Sequence, residues 1–156
     1  MLARLKRAGE VEALLAAHDI AFERLPLKAA EQWPKQWLGV FVPEASRKAA
    51  KKQCFSGRRH KGFLWQAFAM GFIPGFVGGD AAWERWQACG AQRCLLCLPD
   101  DALLYRVQGI SPDVLAAFGC AILADETLTH VWMQTGSPAR GPYYCEAGQA
   151  AAVLPK

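Results

Sequence analysis

Apolar and polar positions are most clearly patterned near the C-terminal end of the chain. Cys120 to Ala124 is a short apolar run bounded by Gly119 and Asp125, which predicts a buried strand. Asp125-Glu126 marks a turn; neither residue is Gly, so a longer loop fits as well as a tight two-residue turn. Thr127 to Gln134 is rich in β-formers and predicts the returning strand. A period of two puts Thr127, Thr129, Val131 and Met133 on one face and Leu128, His130, Trp132 and Gln134 on the other. Both sets carry apolar residues, so alternation alone does not say which face is buried. Gly136 to Pro142 reads as a loop, and Tyr143-Tyr144 extends a final short strand.

Upstream, Val11, Leu14, Leu15 and His18 share one helical face and predict a helix over Gly9 to His18. Ile20 to Leu25 alternates and predicts a strand stopped by Pro26. Trp33, Trp37 and Phe41 form an aromatic helical stripe. Pro34 suits only a first turn, so the regular helix begins there or the preceding turn is broken. Pro43-Glu44 starts a further helix running through Gln53. Gly62 to Gly71 is apolar and glycine-bounded; it predicts a strand with Trp65 and Phe68 buried. Gly71 to Gly79 is a loop without the Lys-Ser/Thr of a phosphate cradle. Asp80 is placed to cap a helix through Cys89 carrying Trp83 and Trp86. Cys94 to Leu98 and Leu103 to Val107 predict a strand pair turning at Pro99-Asp100-Asp101. Ser111-Pro112-Asp113 starts a helix that Gly119 ends. The order is α-β-α-α-β-α-β-β-α-β-β. Its consecutive hairpins imply a single α+β domain over residues 1–146, with a mainly antiparallel sheet, helices gathered on one side, and a loose tail over 147–156.

Composition narrows the class. The chain has 156 residues, of which 53% are hydrophobic and 21% charged, which suits one folded domain and excludes a disordered chain. No apolar run approaches the ~20 residues needed to span a bilayer. The N-terminal stretch has no uninterrupted apolar core or clean cleavage site, so the expectation is a bacterial-type cytoplasmic protein with no membrane partner. Its six cysteines are then expected as reduced core thiols. Cys94 and Cys97 form the one Cys-x-x-Cys, but a strand there sends them to opposite faces. No metal site or cofactor is expected. Charge is concentrated in Arg47, Lys48, Lys51, Lys52, Arg58, Arg59 and Lys61, seven cations without an acid among them, against a net charge of +4. That stretch is either a solvated helix face and loop or a patch for phosphate or an acidic partner.

The GFLWQAF segment, the glycine-rich turn and Trp-bearing helix after it, the LLCLPDD hairpin and the close on LTHVWMQTG and GPYY resemble an uncharacterised bacterial domain family of unknown function. The likeness runs from about Trp33 to Tyr144. It implies a single α+β domain. It also implies a His where this chain has Gln66 and a polar residue where it has Ala69, so any chemistry of that His is absent here.

Three functional readings remain. Small α+β domains rich in aromatics include immunity proteins, which neutralise a toxin by covering it. Trp132, Arg140, Tyr143 and Tyr144 cluster around one loop as residue types that anchor interfaces. A nucleic-acid accessory protein using residues 47–61 is the alternative. A small enzyme of unknown class is the third: among His18, His60 and His130, His130 is the best general-base candidate, with Asp125 and Glu126 near in sequence but displaced along the strand. No catalytic residues are assigned on sequence alone.

Overall fold

The computed structural model describes residues 2–56, 59–60, 72–73, 75–89, 93–135 and 142–147. The helices are α1 (Leu2–Ala17), α2 (Leu27–Phe41), α3 (Glu44–Cys54), α4 (Asp80–Ala88) and the single turn α5 (Pro112–Leu115). Among the described residues, the two-residue strands β2 (Phe55–Ser56) and β3 (Arg59–His60) pair with each other alone. The main sheet contains β1 (Phe22–Arg24), β4 (Val77–Gly78), β5 (Arg93–Leu98), β6 (Leu103–Gln108), β7 (Cys120–Asp125), β8 (His130–Thr135) and β9 (Tyr143–Glu146). Its order is β1-β6-β5-β7-β8-β9-β4, and every neighbouring pair is antiparallel. The chain is a single α+β domain.

Helices cover both faces of this sheet, where the sequence reading gathers them on one. Successive strand residues point to opposite faces, and the central strands are apolar at both parities. Leu95, Cys97, Leu104, Ile122, Ala124, Val131 and Met133 face one core with Trp33, Trp37, Leu38 and Phe41 of α2 and Ala50 of α3. Cys94, Leu96, Leu98, Leu103, Tyr105, Ala121, Leu123 and Trp132 face the other with Ala8, Val11 and Leu15 of α1, Trp86 of α4 and Phe118. A strand buried on both sides has no polar parity to mark it, which is why alternation over β8 left the choice open. Cys94 and Cys97 do fall on opposite faces.

The β5–β6 turn is as expected, with Pro99–Asp101 as a 3-10 turn and Ala102 left-handed at φ 53. Arg4 Nε donates to the Ala102 carbonyl at 2.8 Å and Arg7 pairs with Asp101 at 3.4 Å, so α1 is pinned to this turn. Tyr105, fully buried, donates to Glu12 of α1 at 2.9 Å.

Several boundaries differ from the sequence reading. α1 begins at Leu2, and His18 lies beyond its end, exposed. α2 begins at Leu27 and carries Pro34 in its interior. Pro34 gives up one intrahelical bond, yet it is buried along with Trp33 and Trp37, so packing of the aromatic face holds the helix through it. Gly79, not Asp80, occupies the cap position of α4, at φ 69. β8 starts at His130, because Thr127 to Thr129 are consumed by the turn. The Asp125 carboxylate accepts the N–H groups of Thr129 at 2.7 Å and His130 at 2.8 Å, and the Thr127 hydroxyl at 2.7 Å. Leu128 is left-handed there, at φ 55. The apolar stretch with Trp65 and Phe68, expected as a strand, lies outside the described residues, as do residues 148–156 of the expected tail.

Candidate functional site

A connected polar cluster lies where α4 crosses the β8–β9 end of the sheet. The antiparallel register sets His130 opposite Glu146 and Trp132 opposite Tyr144. Their even spacing along each strand puts all four on the α4 face, where Trp132 and Tyr144 join the core that Trp86 closes. The Tyr144 hydroxyl donates to Glu146 Oε1 at 2.9 Å and lies 2.8 Å from His130 Nδ1. A phenol has one proton, and Glu146 as a carboxylate can only accept. The Tyr144 oxygen must therefore accept from His130, which fixes a proton on Nδ1. In the neutral ring, Nε2 is then the lone-pair nitrogen, and among the described residues it has no hydrogen-bond partner.

The neighbours reinforce this polarity. The imidazole stacks on the Tyr144 ring with centroids 6.2 Å apart. Arg85 of α4 lies over the Tyr144 ring, 5.5 Å from its centroid, and reaches Glu146 Oε1 with Nη2 at 3.2 Å. Donation from Tyr144 holds the Glu146 carboxyl below the usual range against partial burial, and the Arg85 guanidinium adds to it. Burial, then the bond to Glu146, pushes the Tyr144 hydroxyl well above its ordinary value, so it stays a neutral phenol. Asp125 is also held low: burial opposes ionisation, but the His130 N–H, Thr127 and Thr129 outweigh it. It meets the His130 backbone, whereas Glu146 reaches the imidazole through Tyr144. Asp125 and Glu126 are near His130 in sequence but displaced along the strand, as expected, and the carboxylate linked to the imidazole is Glu146 on the neighbouring strand.

Four of the thiols are unsuited to nucleophilic work. Burial pushes Cys94, Cys120 and Cys145 up to about 12 and Cys97 well above its ordinary value, so none is a thiolate at neutral pH. Cys94, Cys97, Cys120 and Cys145 are in no disulfide. Among the described residues no group of three or more His, Cys, Asp or Glu is placed to hold a metal ion. No helix among them is long and apolar enough to cross a membrane.

The sequence-based interface residues divide. Trp132 and Tyr144 are 3% and 1% exposed, so both rings belong to the core and are not available to a partner. Tyr143 is half-buried on the opposite face, and Arg140 lies outside the described residues. In their place the structure brings up Phe76, 38% exposed, packed edge-to-face on Tyr143 with centroids 5.2 Å apart. The pair sits at the end of the sheet where β4 joins β9, and the Gly79 N–H bonds the Pro142 carbonyl at 3.0 Å. Phe76 lies in a glycine-rich loop without periodicity, so no local signal could have marked it. Of the basic group, Arg47 is half-buried and donates to the Val42 carbonyl at 3.0 Å, while Lys48, Lys51 and Lys52 are exposed along α3. Arg59 falls on β3, and Arg58 and Lys61 lie outside the described residues. A cavity of about 670 Å³ runs along the outer face of α2, lined by Leu27, Lys28, Glu31, Gln32 and Lys35, on the far side of the sheet from His130.

Comparison of the chain with family models, with curated proteins and with solved structures returned no match.

Proposed function

We propose that this chain is a protein-binding domain whose contact surface is the Phe76–Tyr143 end of the sheet. The observation that carries the reading is the exposed Phe76 ring packed on the half-buried Tyr143 where β4 joins β9, since aromatic rings held in place at little entropic cost are the usual interface anchors. Tyr143 packs on the same core as α3, so the exposed Lys48, Lys51 and Lys52 share its side of the sheet. A partner protein with an acidic surface would meet both. The sharper form of the reading is an immunity protein that covers a cognate toxin.

The test is calorimetric titration of the purified chain against a toxin-like protein encoded beside it. Phe76→Ala with Tyr143→Ala is expected to weaken the complex by ~2 kcal/mol or more, with the fold retained by circular dichroism. Unchanged affinity in a folded double variant overturns the proposed surface. The exposed lysines of α3 also suit nucleic acid. Retention on generic DNA that falls steeply with salt would favour that reading instead.

A further inference from the structure

We propose that His130, Tyr144 and Glu146 form a general-base site for the hydrolysis of small carboxylic esters, independent of the protein-binding reading. The geometry requires a proton on Nδ1 and leaves Nε2 without a partner among the described residues. An imidazole whose inner nitrogen is committed and whose outer nitrogen holds a lone pair is the arrangement a general base needs. When Nε2 takes a proton, the imidazolium charge is balanced through the Tyr144 hydroxyl by Glu146. This is the part a buried carboxylate plays behind the histidine of a hydrolytic triad, here with a phenol between the two. The Tyr144 hydroxyl and, after it, Arg85 at 3.2 Å favour the ionised form of Glu146. The Glu146 and Arg85 side chains are 32% and 43% exposed, so the cluster borders solvent, which suits a small water-soluble substrate. The four described thiols with raised pKa offer no competing nucleophile.

In the step, Nε2 removes a proton from water as the water oxygen attacks the ester carbonyl carbon, and the carbonyl π pair moves to its oxygen. Collapse of the tetrahedral species breaks the bond to the leaving oxygen. The leaving group takes the proton back from Nε2, giving acid and alcohol. His130 is the catalytic residue; Tyr144 and Glu146 are positioning residues.

The experiment is turnover of 4-nitrophenyl acetate by the full chain at neutral pH. The wild type is expected to turn over repeatedly, at least about tenfold faster than an equal concentration of free imidazole. His130→Gln should fall to the imidazole rate, and added imidazole should restore activity to His130→Ala. Glu146→Gln and Tyr144→Phe should each lose about tenfold. Proton–nitrogen NMR should show the Nδ1–H tautomer in wild type and its loss in Tyr144→Phe, which a merely structural tyrosine would not cause. Should Tyr144→Phe fail to fold, Glu146→Gln carries the same test. A wild-type rate no greater than imidazole, full activity in His130→Gln, or a single burst equal to protein acylation overturns the proposal.

Discussion

Replacing Asp125 with Ala removes the acceptor around which the β7–β8 turn is built. Its carboxylate receives the Thr129 N–H at 2.7 Å, the His130 N–H at 2.8 Å and the Thr127 hydroxyl at 2.7 Å. Thr127 and Thr129 are exposed, so water replaces much of what they lose. The His130 N–H is half-buried, and leaving it without an acceptor costs about 1–3 kcal/mol. The turn also holds Leu128 left-handed, a conformation costing an L-residue roughly 1–2 kcal/mol that the clamp helps offset. The expected loss is about 2–3 kcal/mol, or a drop of about 1 M in the urea midpoint at a slope of about 1–3 kcal/mol/M. Asp125→Asn keeps one acceptor oxygen and should lose about half as much. Because the folded carboxyl is held below its ordinary value, its contribution is present above the unfolded pKa of about 3.9 and disappears as pH falls through the folded one. The gap between wild type and Asp125→Ala should therefore be full at pH 7 and shrink steadily below about pH 4. A midpoint for Asp125→Ala within error of wild type at pH 7, or a gap that grows in acid, would refute the reasoning.

Trp37→Ala, at a fully buried position on α2, should cost about 3–5 kcal/mol by chemical denaturation. Tyr105→Phe removes the bond to Glu12, which keeps Arg24 at 3.4 Å, and should cost about 1–2 kcal/mol in the same assay. Ala102→Gly relieves a left-handed alanine and should raise stability by up to ~1 kcal/mol; a loss would show that the turn does not tolerate glycine's added freedom. Cys94 and Cys97 should resist alkylation by iodoacetamide at pH 8 until the protein is unfolded, and mass spectrometry of the native protein reads this directly.

Local chemistry was enough for much of the framework. The β5–β6 hairpin was legible because Pro99-Asp100-Asp101 interrupts two apolar runs, and the β7 strand because Gly119 and Asp125 bound it. The helices of the first third followed from 3.6-residue spacing of Val11, Leu15, Trp33, Trp37 and Phe41. Two kinds of fact were beyond local reading. One was the distribution of helices over both faces. A doubly buried strand has apolar residues at both parities, so its sequence does not report how many layers cover it. The other was side-chain partnership across strands. His130 meets Glu146 through Tyr144 because β8 and β9 run antiparallel in one register, and Phe76 meets Tyr143 because β4 closes on β9. Sequence alone determined the longer strands β5 to β8 and the main helices, because backbone propensity, turn residues and hydrophobic period act over a few neighbours, whereas the two-residue strands β2, β3 and β4 form in stretches that read as loop. The tertiary structure decided which rings are core, which carboxylate serves the imidazole and which aromatics reach the surface, because those depend on register between segments far apart in the chain.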